Sequence, residues 1–264
     1  MSLHIKAKKS FGQHFLKNPE QAAKIAGFPG EVNQDTGVLE IGPGKGIMTH
    51  YLRQHYPLFK CVELDKDMVA YLNNIPELNG KIIESDILKL PLDKVFDGKQ
   101  LVLIGNFPYN ISSQIVFHML KYKSWVPQMI GMFQKEMAER IIAKHGSKVY
   151  GVISVLTQAY YEGQKLLDLP PGSFIPPPKV DSAVISLKRL TVPLADVDES
   201  AFRKIVKTSF LMRRKMLRNN LKPIIEQKEL LSDKFFDQRP EQLSVEDYVR
   251  LTKYLKDPEN NKLK

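Results

Sequence analysis

Short, mostly apolar runs alternate with longer amphipathic stretches through the first 190 residues of this chain. Each run is four to seven residues long, which is too short for a typical helix, so the runs predict strands. Seven strands are predicted, at residues 37–41, 59–64, 81–84, 101–105, 128–133, 165–169 and 182–188. Strands that alternate with helices at this spacing favour a doubly wound, mostly parallel sheet, so we predict an α/β fold here.

The pattern changes near residues 190–198, where Pro193 and clustered acidic residues interrupt it. We therefore predict two domains, an α/β domain over residues 1–190 and a small all-helical domain over residues 191–264. The predicted helices are residues 19–26, 47–54, 66–74, 111–121, 135–144 and 151–160 in the first domain, and 199–211, 213–221 and 245–255 in the second.

Residues 1–17 form a basic arm that carries Lys6, Lys8 and Lys9. Lysine and glycine favour a mobile segment, whereas Phe11, Phe15 and Leu16 indicate that its second half docks on the protein. We therefore expect a mobile arm that is anchored near its end.

The net charge of +10 fits a polyanionic partner, although charge alone leaves RNA, DNA and anionic lipid open. No apolar run approaches the roughly 20 residues that span a bilayer, and the first residues lack the apolar core of a signal peptide. We therefore expect a cytoplasmic protein that does not contact a membrane. The single cysteine, Cys61, lies in a predicted strand, where we expect it to be buried rather than part of a disulfide or metal cluster.

Polar residues end successive predicted strands. A glycine-rich turn, residues 42–46 (Gly-Pro-Gly-Lys-Gly), follows the first strand, and Glu63 ends the second strand 21 residues after Gly42. Such a turn lets the backbone approach a ligand, and a carboxylate at this spacing can accept both hydroxyls of a ribose. Asp86, which ends the third strand, is placed to accept from an adenine amino group. Glycine turns and solvated acids are common, but Glu63, Asp86 and Asn106 at three successive strand ends make coincidence a poor explanation.

Preceded by Glu40, this turn resembles the E/D-x-G-x-G-x-G signature of class I S-adenosylmethionine-dependent methyltransferases. That donor has an adenosine and an amino-acid end but no pyrophosphate. His14 also fits an ordinary surface histidine. No second histidine lies at metal-ligand spacing from it, so we propose no metal.

The fourth strand is followed by residues 106–109 (Asn-Phe-Pro-Tyr). Pro108 disfavours helix at Phe107 and lacks an N–H, so we expect an extended loop whose carbonyls point outward. The Asn106 amide and these carbonyls can accept from an exocyclic amine, and the Tyr109 ring offers a face to a flat base. A simple strand-terminating turn is the alternative, because Asn and Pro are common turn residues.

Taken together, five stretches resemble the KsgA-type rRNA adenine dimethyltransferases, in order from about residue 9 to residue 221. The stretches are residues 11–16 (Phe-Gly-Gln-His-Phe-Leu), 40–44 (Glu-Ile-Gly-Pro-Gly), 63–65 (Glu-Leu-Asp), 106–109 and 174–183 (Phe-Ile-Pro-Pro-Pro-Lys-Val-Asp-Ser-Ala). Members of this family make two adjacent N6,N6-dimethyladenosines in the 3′-terminal hairpin loop of small-subunit 16S rRNA, and they take part in late assembly of that subunit. The resemblance implies a Rossmann-like class I methyltransferase domain.

By position, the resemblance implies a cofactor site for S-adenosylmethionine that is lined by His14, Leu16, Gly42, Glu63, Asp86 and Asn106. Two positions depart from the family pattern. The family often has Asn where this chain has His14, and Leu where it has Phe107. A histidine can still donate to a carboxylate, and Phe107 is apolar.

The N6 lone pair of adenine is delocalised into the ring, so the amine is a poor nucleophile. We expect the Asn106 side chain and the Pro108 carbonyl to accept from the amino hydrogens, hold N6 and favour a more localised lone pair. Tyr109 would stack on the base, and by family position Phe174 would close on the other face. No general base is required, so catalysis is expected to come from positioning and electrostatics.

A basic run in the predicted helix 213–221 has its own interpretation. Charge runs are usually solvated faces. Here Leu217 and Leu221 share one helical face, and a large RNA partner is already implied, so we expect the basic side chains to contact phosphates. The predicted RNA-binding residues are Arg213, Arg214, Lys215, Arg218 and Lys222.

Two other functions stay open from the sequence. An Erm-type methyltransferase would share the fold and motifs but modify one adenine of 23S rRNA, and the stretch 174–183 favours the small-subunit enzyme. An assembly factor would act mainly by occupying the immature small subunit. Nothing in the sequence indicates a dimer interface, so we expect a monomer.

Overall fold

A computed structural model describes Lys8 and residues 12–263. Lys6, Lys9 and Phe11 of the predicted arm lie outside the described residues. The strands within them are β1 (Phe15–Leu16), β2 (Gly37–Ile41), β3 (Phe59–Glu63), β4 (Ile82–Glu84), β5 (Leu101–Asn106), β6 (Gln128–Gln134), β7 (Tyr161–Leu169), β8 (Phe174–Ile175) and β9 (Ser182–Arg189). The helices are α1 (Pro19–Ala26), α2 (Ile47–His55), α3 (Lys66–Leu72), α4 (Ser112–Lys121), α5 (Lys135–Ile141), α6 (Val152–Gln158), α7 (Glu199–Ser209), α8 (Leu217–Leu221) and α9 (Val245–Lys256).

The main sheet of the described chain has seven strands in the order β4-β3-β2-β5-β6-β9-β7. The pairs from β4 to β6 are parallel, and β9 runs antiparallel to β6. The predicted seven-stranded, mostly parallel sheet is therefore confirmed. Strand β2 is buried along its whole length, as expected for a parallel strand with both faces covered.

The order of the strands creates a crevice beside β2. The chain runs outward from β2 through β3 to β4, then returns to place β5 on the other side of β2. Such a reversal leaves a gap between the loops at the carboxyl ends of the two central strands, and ligands of open α/β sheets bind there. The loops after β2 and β5 are the glycine-rich turn and residues 106–109.

A second, two-stranded sheet fixes the N-terminal segment. Strand β1 pairs antiparallel with β8, with Phe15 opposite Ile175 and Leu16 opposite Phe174. Leu16 and Phe174 are both buried in the hydrophobic core, so this pairing removes apolar surface from water. The second half of the arm docks as predicted, since Phe15 and Leu16 hold this ladder.

By contact density the chain divides into two compact units, Met1–Ala138 with Gly163–Arg189, and Glu139–Glu162 with Leu190–Lys264. The predicted boundary at residue 190 coincides with one crossing between the units. In this division Glu139–Glu162 groups with the second unit, whereas the sequence prediction placed it in the first domain. Within the second unit this segment is tied by hydrogen bonds from Leu190 N to Tyr160 O (2.8 Å) and from Leu194 N to Ala159 O (3.0 Å).

Helix α8 is shorter than the predicted 213–221, because residues 211–214 form turns and the helix begins at Leu217. The buried Asn220 side chain forms hydrogen bonds with backbone groups at the start of this segment. Its Nδ2 donates to Ser209 O (2.7 Å) and Met212 O (3.2 Å), and its Oδ1 accepts from Met212 N (3.1 Å). These bonds replace the ladder that a longer helix would need.

Within the part of the chain that the structure describes, no helix combines the length and the apolar character needed to cross a membrane.

Candidate active site

A cavity of about 310 Å³ lies at the carboxyl ends of β2 to β5 in the first unit. The strand ends and the N-terminal segment contribute its walls. Its lining includes Gly12, Gln13, His14, Phe15, Gly42, Gly44, Glu63, Ser85, Asp86, Asn106, Phe107, Pro108, Tyr109 and Asn110. Five of the six predicted cofactor residues meet here, namely His14, Gly42, Glu63, Asp86 and Asn106.

Glu63 is held at the end of β3 by its own loop. Its Oε1 accepts from Leu64 N (2.8 Å) and Asp65 N (2.9 Å), which fixes the plane of the carboxyl group at the cavity wall. Burial raises the pKa of Glu63, and these backbone hydrogen bonds oppose that rise. A fixed carboxylate in a partly desolvated wall is well suited to accept from ligand hydroxyls.

The glycine-rich turn passes close to an aromatic side chain of β1. Gly44 has a φ of +55°, and a Cβ at this position would lie 2.8 Å from Phe15 Cδ1. A side chain at residue 44 would therefore collide with Phe15 and strain the backbone. The bare turn leaves this side of the cavity open to a ligand.

Asp86 follows β4 and bends its own loop. Its Oδ1 accepts from Leu88 N at 2.9 Å, an Asx-type turn that fixes the carboxylate beside the cavity. Asp86 and Glu63 thus present two acceptors from neighbouring strand ends.

Asn106 is oriented by the N-terminal segment. Its Nδ2 donates to the backbone carbonyl of His14 at 2.6 Å. A carbonyl can only accept, so this contact determines which side of the amide carries the nitrogen and leaves Oδ1 as the acceptor on the opposite side.

Phe107 anchors the loop that follows Asn106. Its ring is 1% exposed and packs edge-on against Phe133, with centroids 5.2 Å apart. Gly105 and Gly131 are paired in register beneath it, and a Cβ at Gly131 would lie 2.6 Å from the Phe107 ring. The aromatic side chain and the two glycines together hold the loop against the sheet.

Pro108 departs in part from the expectation of outward-pointing carbonyls. Its carbonyl accepts from Ile111 N at 3.1 Å, because the chain turns there into α4. A carbonyl oxygen has two lone pairs, so one acceptor site of Pro108 is used within the loop.

Tyr109 is braced on two sides. Its hydroxyl and the buried Ser182 Oγ are 2.6 Å apart, and the His14 ring stacks on it at a centroid distance of 5.4 Å and an angle of 24°. Burial raises the pKa of Tyr109, and the Ser182 hydrogen bond opposes that rise. His14 Nδ1 donates to Pro176 O at 2.7 Å, which holds the ring in this stack.

Ser182 lies within the stretch 174–183, but its residue type alone does not indicate a role in the site. Its contact with Tyr109 depends on the register of β9, which a local pattern does not reveal.

A second cavity, of about 250 Å³, shares Phe15, Gly42, Gly44 and Asn106 with the first. Leu16, the sixth predicted cofactor residue, lies here instead of in the first cavity. Its other lining residues include Glu40, Pro43, Lys45, Met48, Met132 and Ile175.

Glu40 is buried within β2 and borders this second cavity. Thr49 Oγ1 donates to its Oε2 at 2.6 Å. Burial raises the pKa of Glu40 to about 8, and the nearby Glu63 charge adds to the rise, while the Thr49 hydrogen bond opposes it. Near neutral pH this carboxyl group is therefore mainly protonated.

Phe174 does not lie where the sequence prediction placed it. It is 1% exposed in the hydrophobic core and lines neither cavity, because its pairing with Leu16 turns the ring inward. The following residue, Ile175, is 58% exposed and borders the second cavity. Alternation along β8 thus puts Ile175, not Phe174, at the rim.

The five predicted RNA-binding residues all belong to the second unit, but they differ in their contacts. Arg213 Nη2 donates to Ser147 O at 3.0 Å, and Arg218 forms an ion pair with Asp237. The exposed side chains in this set are Arg214, Lys215 and Lys222. Arg213 and Arg218 therefore have structural contacts, whereas the other three face solvent.

Among Lys8 and residues 12–263, no three or more His, Cys, Asp or Glu side chains are grouped so as to hold a metal ion. Cys61 is buried in β3, as predicted, and burial raises the pKa of its thiol.

Comparison with known proteins places this geometry in context. The family model described as ribosomal RNA adenine dimethylase matches residues 4–257. A relative named ribosomal RNA small subunit methyltransferase A, from Phocaeicola vulgatus, is 48% identical over 98% of this chain and 92% of its own length. The protein of that name from Bacteroides thetaiotaomicron is 49% identical over 94% of this chain and 93% of its own length.

Two solved structures share the fold. A dimethyladenosine transferase from Plasmodium falciparum superposes with a TM-score of 0.76 at 24% identity, covering 92% of this chain and 97% of that one. The 23S rRNA methyltransferase ErmE gives a TM-score of 0.65 at 23% identity, covering 92% and 100%. At these identities the likeness concerns the fold alone.

Proposed function

This chain belongs to the ribosomal RNA adenine dimethylase family, and from that premise we propose that it dimethylates N6 of two adjacent adenosines in small-subunit 16S rRNA. The adenosines lie in the 3′-terminal hairpin loop, and S-adenosylmethionine is the methyl donor. Two relatives named for the small subunit are nearly half identical over most of the chain, which favours this substrate over 23S rRNA. The enzyme acts as a monomer in the cytoplasm, where small subunits are assembled.

The lining of the two cavities fits the donor. A volume of about 310 Å³ is within the range of small-molecule sites, and the second cavity adjoins it at Gly42, Gly44 and Asn106. Glu63 would accept from the ribose hydroxyls, and Asp86 from the adenine amino group. Leu16 and Glu40 would border the amino-acid end. When bound, S-adenosylmethionine supplies an electrophilic sulfonium methyl group.

The loop after β5 would hold the target base. Asn106 Oδ1, oriented by the hydrogen bond to His14 O, accepts from one N6 hydrogen, and the remaining lone pair of Pro108 O accepts from the other. The two acceptors fix N6 and favour a localised lone pair. Tyr109 stacks on the adenine through the ring face that His14 leaves uncovered.

No side chain has to remove a proton before transfer. The protein therefore contributes positioning and preorganised acceptors, and the N6 proton leaves to solvent after the new bond has formed. The observation that carries this function is the position of Asn106, which borders both cavities and turns its amide oxygen away from His14.

A transfer assay tests the proposal. Purified protein is incubated with methyl-labelled S-adenosylmethionine and, separately, with unmethylated small subunits and with large subunits. We expect label in 16S rRNA only, recovered as N6,N6-dimethyladenosine. Label in 23S rRNA would instead support the Erm-type activity, and an absence of label in both would contradict the proposed enzyme.

A further inference from the structure

One buried carboxylate links the N-terminal segment to the end of β3. Asp65 lies two residues after Glu63, and its side chain is 1% exposed. Its Oδ1 accepts from Lys8 Nζ at 2.6 Å, and its Oδ2 accepts from Gln13 Nε2 at 3.1 Å. Lys8 N also donates to Gln13 Oε1 at 2.9 Å, so the two donors are joined to each other.

These contacts fix one end of a cavity wall. Gly12, Gln13, His14 and Phe15 line the first cavity. On the C-terminal side this wall is fixed by β1 and by the Asn106 bond to His14 O. On the N-terminal side, within the described residues, the wall is fixed by the contacts of Lys8 and Gln13 with Asp65.

We propose that Asp65 is a positioning residue, which anchors this wall through Lys8 and Gln13 and thereby sets how tightly S-adenosylmethionine is retained. The inference rests on the proposed function, since it concerns the same cavity. Asp65 does not touch the reacting atoms. It acts through the segment that covers them.

The opposite charges of Asp65 and Lys8 favour the contact between them. We call the contacts of Asp65 with Lys8 and Gln13 the clasp. Burial by itself would raise the pKa of Asp65, but hydrogen bonds from Lys8, Gln13 and Asp67 N outweigh it and hold the pKa below its usual range. A buried carboxylate that loses its cation is strongly destabilised. Asp65 therefore pulls Lys8, and the segment that carries it, back to the cavity wall.

Asp65 has a second contact that must be separated from the clasp. It is the N-cap of α3, where its Oδ1 accepts from Asp67 N at 3.1 Å. Asparagine caps helices about as well as aspartate. The substitution Asp65→Asn therefore retains the cap through Oδ1. It removes the charge that attracts Lys8, and it puts an amide nitrogen in place of the Oδ2 atom that accepts from Gln13.

The test measures cofactor binding and turnover for Asp65→Asn, Lys8→Ala and the double variant. We expect Kd for S-adenosylhomocysteine and KM for S-adenosylmethionine to rise about tenfold in each, the size of one charged hydrogen bond, with kcat within about twofold. The double variant should be no worse than Asp65→Asn alone, because that substitution already removes the charge that attracts Lys8. Lys8→Ala lies outside the sheet and guards against misfolding of the Asp65 variant.

Asp67→Asn is the matched control. Its carboxylate is also 2.6 Å from Lys8 Nζ, but the side chain is 69% exposed, so the pair is screened by water. We expect binding within about twofold of the parent. Unchanged binding in Asp65→Asn, or a fall in kcat at constant KM, would overturn the proposal.

Hydrogen exchange separates this inference from the proposed function. Without any cofactor, the amides of residues 12–16 should exchange faster in Asp65→Asn than in the parent protein, while those of β2 stay unchanged. If the parent protein fails to bind S-adenosylmethionine, the proposed function is wrong. If the parent binds it and the variant shows neither weaker binding nor faster exchange, the clasp is wrong.

Discussion

Asn106 takes its orientation from a backbone carbonyl 92 residues earlier in the chain, that of His14. The same histidine stacks on Tyr109, whose hydroxyl contacts Ser182 in β9. Three segments that are distant in sequence therefore fix the two side chains proposed to hold the base. Single substitutions at these contacts separate orientation from stacking.

Substitutions at Tyr109 distinguish the ring from the hydroxyl. Tyr109→Phe keeps the stacking face and loses only the Ser182 contact, so we expect methyl transfer within about threefold of the parent. Tyr109→Ala removes a stacking contact worth about 1–3 kcal/mol, so transfer should fall about 5- to 150-fold while cofactor binding is retained. Single-turnover transfer to small subunits and calorimetric cofactor binding measure the two effects. Parental transfer by Tyr109→Ala would refute the assignment.

The raised pKa of Glu40 leads to a prediction of how the free energy of unfolding depends on pH. Burial raises its pKa from 4.5 to about 8, so the folded protein keeps a proton that the unfolded chain has released between these values. Stability should therefore fall as pH rises through this window, by at most about 1.4 kcal/mol per pH unit from this group. Burial of Glu63 acts in the same direction.

Glu40→Gln should flatten that dependence, because glutamine can still accept from Thr49 but cannot ionise. Urea unfolding of the protein without ligand, at pH 5, 6, 7 and 8, measures it. An equally steep loss of stability in the variant would show that Glu40 is not the group responsible.

Single residues were predictable where a strand end placed them. Gly42, Glu63, Asp86 and Asn106 line one cavity because parallel strands end at one edge of the sheet. Phe174 was not predictable in this way, since a two-residue strand offers no periodicity from which to read its inner face. The partner strand β1 decides that face, and it exposes Ile175 instead.

At the scale of elements, the site depends on the close packing of β5 and β6. Gly105 and Gly131 lie side by side in these strands, and the Phe107 ring occupies the space that their missing side chains leave. This packing connects the interior of the sheet to the position of Asn106 and Tyr109.

Gly131→Ala tests this connection. The new Cβ would lie 2.3 Å from the Phe133 ring and 2.6 Å from the Phe107 ring, so both rings must shift. We expect a loss of about 1–3 kcal/mol in the free energy of unfolding and a lower rate of methyl transfer. Urea unfolding and the transfer assay measure both.

Gly172→Ala is its control, because a Cβ there meets nothing within 4 Å. We expect its stability to change by less than about 0.5 kcal/mol. Equal stability of the two variants would contradict the packing account.

The seven strands of the main sheet and the longer helices followed from the sequence because their signals are local, whereas the two-residue strands β1 and β8 did not. Helix α1 matches the predicted 19–26, since Asn18 caps it and Pro19 occupies its first turn. Helix α8 begins four residues later than expected, because the Asn220 side chain contacts Ser209 and Met212. Such side-chain contacts with distant backbone leave no periodic signal.

At the scale of the whole molecule, the first cavity lies in one compact unit, and the exposed basic residues Arg214, Lys215 and Lys222 lie in the other. The sequence boundary near residue 190 followed from a change of pattern, but the assignment of Glu139–Glu162 to the second unit did not. Helix α6 has an ordinary helical sequence, and only its packing on α7 reveals its unit.

The exposed basic residues of the second unit predict how RNA binding responds to salt. Arg214→Ala with Lys215→Ala removes two solvent-facing charges, so the slope of log K against log salt should fall by about 1.5. Lys253→Ala, an exposed lysine of α9, is the matched control and should leave the slope unchanged. Binding to small subunits is measured from 50 to 200 mM salt. An unchanged slope in the double variant would count against phosphate contact.

A role in assembly predicts a difference between an inactive protein and no protein. We expect Tyr109→Ala to bind the small subunit and to release it slowly, because its methyl transfer is slower. Cells carrying it should then mature small subunits more slowly than cells lacking the protein. Sedimentation profiles and precursor 16S rRNA levels measure the defect. Equal defects in the two strains would assign the role to methylation alone.

The most direct measurement is a crystal structure of this protein with S-adenosylmethionine bound. We expect the ribose hydroxyls on the Glu63 carboxylate, the adenine amino group near Asp86, and the sulfonium methyl facing Asn106. A donor bound away from this cavity, or with its methyl group remote from Asn106, would contradict the account.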